Sequence, residues 1–247
     1  MTNDTGHADD DEDTPVIEAI ASPAQIAAFR VRRDEIAEAI RRARIEQGLP
    51  GEGTRILAVS KRQPETRVAA ALAAGHRLFG ENRLQEAARR WAGAKEHFSD
   101  LELHFIGRLQ SNKAAQAVDL FDWIESVDRP SLVDALARAL ARTGRRPRLL
   151  VQVNTGAEPQ KGGVLPGELP ALLEVMRSRN LAPEGLMCIP PRDEEPALHF
   201  ALLKKLARAH DLSILSMGMS SDFETAAAMG ADHVRIGTAL FGPRDGG

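Results

Sequence analysis

Tyrosine is absent from the 247 residues, and cysteine occurs once, at Cys188. A single thiol excludes an internal disulfide and suits a reducing cytoplasm. The missing tyrosine removes the phenol from the possible acids and bases. No run approaches the roughly 18 apolar residues that a membrane span needs, and no basic start followed by an apolar stretch opens the chain. The expectation is a cytoplasmic chain with no membrane partner. Aromatic residues make up only 4%, and no basic patch is interleaved with them, which argues against a nucleic-acid partner.

Charge is unevenly spread. Residues 1–13 carry six acidic side chains and no Lys or Arg, so the net charge of −3 becomes −3 + 6 = +3 for the remainder. Such a block reads as a solvated, disordered tail without chemistry. The expected division is an acidic tail over 1–23 and one domain over 24–247.

The domain opens on a long amphipathic stretch, 24–47, that ends at the Gly- and Pro-containing "EQGLPGEG". Short apolar runs follow at 56–61, 78–82, 103–107, 123–126, 148–154, 185–190, 214–219 and 233–238. Helix-like stretches separate them at 65–74, 83–96, 111–118, 131–142, 167–178, 196–209 and 222–229. Strands alternating with helices of this length give βαβ units and a parallel sheet. Eight runs, with no G-x-G-x-x-G after the first, point to an α/β single-domain (β/α)₈ TIM-type barrel rather than an open dinucleotide-binding sheet. One helix is missing after the last run, and the stretch 24–47 is expected to cover that flank.

In such barrels ligands bind where the strands end, and phosphate is typically held after strands seven and eight. The run ends are Ser60-Lys61, Glu81-Asn82, Gly107, Glu125-Ser126, Asn154, Pro190, Met219-Ser220 and Gly237-Thr238. Strand parity places Lys61 with Leu57 and Val59 on the interior face. It is either a solvated strand-end charge paired with Glu81 or a desolvated amine able to condense with an aldehyde. "LSMGMSSDFETA" and "VRIGTALFG" supply hydroxyls and open backbone donors at Ser220, Gly237 and Thr238, suited to a phosphate dianion. Arg235 faces inward by parity, either ion-paired to a barrel carboxylate or donating to a heteroaromatic ring nitrogen. Aldehyde, phosphate and ring nitrogen are the three handles of pyridoxal 5′-phosphate (PLP).

The segments "AVSK", "FGENRLQE", "HFIGRLQSNK", "VNTGAEPQKGG", "GLMCIPP", "LSMGMSSDFETA" and "VRIGTALFG" resemble, in order and over nearly the whole barrel, the signature blocks of the pyridoxal phosphate homeostasis protein family. The resemblance implies a barrel similar to the N-terminal domain of alanine racemase and other fold-type III enzymes. It implies Lys61 as the lysine holding PLP as an internal aldimine, Asn82 near the ring, Arg235 opposite the pyridine nitrogen, and Ser220 (beside Met219), Gly237 and Thr238 at the phosphate. Arg108, where the family commonly has proline, and Gly162, where it has serine, depart from the pattern and leave loop detail open.

Arginine can only donate, so Arg235 would keep the pyridine nitrogen unprotonated and the ring a weak electron sink. Racemases of this fold add a tyrosine base from a second domain, and this chain has neither. Cys188, His104 and His233 read as structural. The expectation is therefore a non-catalytic PLP carrier, a monomer with no metal, supplying apo-enzymes. A PLP-dependent racemase or lyase is the alternative, and a sugar-phosphate-binding barrel the third reading. Lys113 and Lys161 are candidates for a second, exchangeable site.

Overall fold

The computed structural model describes residues 15–242. Its strands are β1 (Arg55–Val59), β2 (Leu78–Glu81), β3 (Glu102–Phe105), β4 (Trp123–Val127), β5 (Arg148–Val153), β6 (Gly185–Cys188), β7 (Ile214–Met219) and β8 (His233–Ile236). They pair in parallel in chain order, and β8 closes on β1 through Arg55–His233 and Leu57–Arg235. The helices are α1 (Pro23–Glu46), α2 (Glu65–Ala73), α3 (Leu84–Arg90), α4 (Ala94–His97), α5 (Ala114–Leu120), α6 (Pro130–Thr143), α7 (Leu169–Ser178), α8 (Pro196–Ala209), α9 (Phe223–Ala228) and α10 (Thr238–Phe241).

The eight expected runs and the barrel are all present. The long stretch 83–96 is divided, because Gly93 takes a left-handed φ of 68° between α3 and α4. Helix α1 starts where chemistry starts it. The Ser22 hydroxyl accepts the Gln25 amide, the Gln25 side chain accepts the Ser22 amide, and Pro23 occupies the first turn. Its buried stripe of Phe29, Ile36, Ile40 and Ala43 packs α1 against α2, α9 and α10, the flank left open by the missing eighth helix. Residues 1–14 of the expected tail lie outside the described residues. Within its remainder, Val16 is 1% exposed and its N–H donates to the Arg90 carbonyl, so the packed chain begins earlier than residue 24.

Alternation along the strands divides the core in two. Ala58, Phe79, Phe105, Ile124, Val151, Cys188, Met217 and Ile236 face the helices. Trp123, Leu150 and Met187 form a small apolar plug inside the barrel. Around that plug the interior is polar: His104, Glu125, Ser216, His233 and Arg235 are all at most 4% exposed.

Two of these packing choices carry a pH signature. Burial pulls His233 down to about 4, its partial offset being the Glu125 charge, and pulls His76, edge-on to Phe79, to about 4 as well. In the unfolded chain these rings protonate first as pH falls, so their stability is present above pH ~6.5 and is lost toward pH ~4. His233 contributes at most about 3 kcal/mol to that loss. The half-buried His76 contributes less because water screens it. His104, whose value is raised, reaches its full contribution by the unfolded value near ~6.5 and adds nothing further below it, so it does not offset the loss toward pH ~4. Burial raises Glu65 to about 7 and acts in the opposite sense over the same window, so the test is a difference. From pH 7 to pH 4.5 the parent chain is expected to lose stability in urea relative to His233→Gln, and a constant difference would refute the assignment.

Candidate ligand site at the barrel rim

Strand order decides which candidate residues meet. Val59 of β1 lies beside Gly80 of β2, Ala58 beside Ile236 of β8, and Met219 of β7 beside Arg235 of β8. The residues just beyond these ends, Lys61, Asn82, Ser220, Gly237 and Thr238, therefore follow one arc of the rim, β7-β8-β1-β2. At its centre the Gly237 N–H donates to the Ser220 hydroxyl at 3.4 Å. Thr238 opens α10. A side-chain carbon on Gly237 would stand 3.6 Å from the Val59 carbonyl, so β8 delivers this loop directly to the end of β1.

Lys61 differs in detail from the parity argument. Strand β1 stops at Val59, Ser60 is buried behind the wall, and Lys61 is an exposed residue in the turn that follows. That turn is strained and clamped. Arg62 adopts φ 55°, a left-handed conformation unusual for a non-glycine residue, and its N–H donates to Glu86 at 3.1 Å. The 4%-exposed Arg90 donates to the Ser60 and Gln63 carbonyls, both at 2.9 Å, gripping both ends of the turn. It also holds Glu65 with Nε and Glu81 with Nη1. The Glu81 Oε1 atom further accepts from Ser60 and Trp91 at 2.7 and 3.0 Å. Glu81 is thus engaged on the helix side of the wall.

Asn82 lines the mouth, and its Oδ1 is buried without a hydrogen-bond partner. Its backbone fits only because residue 107 is glycine: a β-carbon there would meet the Asn82 carbonyl at 2.1 Å. Arg235 makes its contacts within the barrel, Nη1 to the Ser216 hydroxyl at 2.9 Å and Nη2 to the Cys188 carbonyl at 2.6 Å. The Cys188 side chain itself belongs to the outer core, and burial pushes its thiol up to about 12, which leaves it inert as a base.

The Met219–Asp222 loop is shaped by Gly218 at φ 93°, with the Met219 N–H held by Asp222 Oδ1 at 2.6 Å. A β-carbon on Gly218 would lie 2.5 Å from that of Ala226. Gly218→Ala is expected to cost about 2–4 kcal/mol from backbone strain plus overpacking. Urea midpoints compared at constant m measure it; a change below about 1 kcal/mol would contradict this geometry.

Beside the arc, a cavity of about 1320 Å³ opens over the ends of β1–β4. Arg62, Arg83, Arg89, Arg108, Lys113 and Arg129 line it, with Glu86 as the acidic member of the lining. Sequence reading missed this cationic mouth, because its residues come from helix α3 and the segments after four separate strands, and no local run exposes them. Lys113 lies in its wall, whereas Lys161 is tied down by Glu158 and the Pro190 carbonyl. Arg90 and Ser216 were also missed as site-shaping residues, since nothing in their spacing announces a long-range partner, and Glu125-Ser126, expected at a run end, lie buried within β4, which continues to Val127.

The family described as alanine racemase, N-terminal domain, matches residues 31–245. A Pseudomonas aeruginosa protein named pyridoxal phosphate homeostasis protein is 44% identical over 223 residues, covering 86% of this chain and 94% of its own. The structure of PipY from Synechococcus elongatus with PLP bound superposes with a TM-score of 0.67 at 39% identity, over 83% of this chain and 99% of that one. Alanine racemase from Streptomyces coelicolor shares the fold at a TM-score of 0.66 and 19% identity, over 89% of this chain and 59% of the racemase.

Proposed function

The chain belongs to the pyridoxal phosphate homeostasis proteins, within the alanine racemase N-terminal domain family, and from that premise we propose that it holds PLP on the β7-β8-β1-β2 arc, as a cytoplasmic monomer that supplies the cofactor to apo-enzymes and turns over no substrate itself. The observation that carries the reading is the convergence on one arc of an amine, an interior arginine and a hydroxyl–amide cluster drawn from opposite ends of the chain.

The residues fit the group. The orphaned Asn82 Oδ1 is an acceptor awaiting a donor at the mouth. Ser220 and Thr238 offer hydroxyls and Gly237 an amide to a phosphate, beside Met219, whose own amide is given to Asp222. Arg235 has both terminal nitrogens committed to Ser216 and Cys188, so it meets the pyridine nitrogen as a fixed donor that cannot give up its proton. Bound PLP supplies an aldehyde that condenses reversibly with an amine, releasing water, and Lys61 supplies that amine. Against turnover stand a ring nitrogen kept unprotonated, no tyrosine in the chain, and a Cys188 thiol buried behind the wall. Val31 and Ile45, exposed on α1, lie about 21 Å apart along the helix, too far to form an apolar stripe that would favour a dimer.

Mixing the purified chain with PLP should generate an absorbance band near roughly 420 nm. Borohydride followed by peptide mapping should then place the pyridoxyl group on Lys61, and an apo-enzyme added to the loaded chain should regain activity. A chain that stays colourless sinks the proposal, and measurable conversion of L- to D-alanine overturns its non-catalytic half.

A further inference from the structure

Beneath Arg235 the barrel interior holds a column of charges that the cofactor chemistry above leaves unused. The Ser216 hydroxyl accepts from Arg235 and donates a hydrogen bond to Glu125 Oε2 at 2.5 Å. The other Glu125 oxygen meets His104 Nδ1 at 2.5 Å. His104 Nε2 meets Glu102 at 3.0 Å, and Glu102 is bound by Trp123 Nε1 at 2.6 Å and by Arg55 at 2.7 and 3.1 Å. Trp123 stacks on His104 with ring centroids 4.9 Å apart, and His233 packs edge-on to both. Signs alternate down the column: Arg235, Glu125, His104, Glu102, Arg55. Glu125, His104 and Ser216 are 0% exposed.

We propose that Glu125 is the positioning residue for Arg235, acting through Ser216: it fixes the guanidinium at the mouth and offsets the positive field that Arg235 directs at the ligand's ring. The proposal rests on the reading that Arg235 faces the ring nitrogen. Its geometry is one-directional, since arginine can only donate and the single hydroxyl proton of Ser216 is thereby committed to Glu125. The groups facing Glu125 are His104 from β3, Ser216 from β7, and His233 and Arg235 from β8, with His233 Nδ1 at 3.8 Å. Glu102 and Arg55 lie beyond. Burial alone would raise the Glu125 carboxyl, but the His104 hydrogen bond and the charges of His104, His233 and Arg235 bring it to about 2. Glu125 is therefore an anion at neutral pH.

Two variants separate charge from contact. Glu125→Gln keeps the shape and deletes the charge. With less negative potential behind Arg235, the protonated form of the Lys61-linked chromophore is disfavoured, and the pH at which its band is lost should move down by about one unit. Glu125→Asp should restore it. Ser216→Ala keeps every charge and removes the bridge. Its midpoint should hold, while the Arg235 guanidinium NMR signals of the unloaded chain broaden and PLP affinity falls about tenfold. A Glu125→Gln midpoint equal to that of the parent chain, in a variant with native circular dichroism, overturns the field part. Unchanged guanidinium signals in Ser216→Ala overturn the positioning part even if the chain never binds PLP, whereas a colourless parent chain condemns only the function proposed above.

Discussion

Lys61→Ala mixed with excess PLP is expected to stay without a band near roughly 420 nm and to retain no pyridoxyl group after borohydride. The loss should be complete for covalent capture and only partial for binding, since the phosphate cluster and Arg235 do not depend on the lysine. Apparent affinity should drop at least roughly a hundredfold, about 2.7 kcal/mol, by equilibrium dialysis. A residual band in this variant would move the covalent site to another of the six lysines. Lys113, in the cationic mouth, would be the first to test, ahead of Lys161, whose ammonium is held by Glu158 and Pro190.

Arg90→Ala should be the most damaging single change away from ligand contact. Arg90 is 4% exposed and is the shared ion-pair partner of Glu65 and Glu81, which are 2% and 0% exposed and whose carboxyls burial otherwise raises. Deleting it strands two buried carboxylates, a loss of about 3–5 kcal/mol. It also frees the Ser60 and Gln63 carbonyls that bracket Lys61. The same variant should therefore lower the urea midpoint and slow band formation at temperatures where it remains folded. Arg90→Lys, which retains charge but not the fork of donors, should recover only part of either loss. A stability change under about 1 kcal/mol in Arg90→Ala would mean that the carboxylates are neutral in the folded chain.

The barrel was legible because each strand is a short apolar run flanked by helix-forming Ala, Leu and Arg, and because two neighbouring loops near the C-terminus carried glycine and hydroxyl residues together. Lys61, Asn82, Met219, Ser220, Gly237 and Thr238 stood out as candidates for the same local reason, that each ends or adjoins a run, and Arg235 by its parity within one. Local pattern failed where long-range partners decide. Parity carried Lys61 onto a strand that stops at Val59, since a clamp by Arg90 from another element cannot be read from "AVSK". Glu81 looked available to Lys61 until Ser60, Arg90 and Trp91 were found around it. Glu125 and His104 sit mid-strand, where apolar residues are expected, and only the register of the β3–β4 pairing brings them face to face.

Closure of the sheet between β1 and β8 makes the ligand a latch on the finished molecule. Lys61 is synthesised early, whereas Arg235, Gly237 and Thr238 belong to the last strand and the turn after it. On the site proposed above, a nascent or truncated chain lacking β8 would carry only half of the ligand's contacts. A ligand spanning this seam binds the closed barrel alone, stabilises it by mass action, and marks which molecules have been completed from end to end.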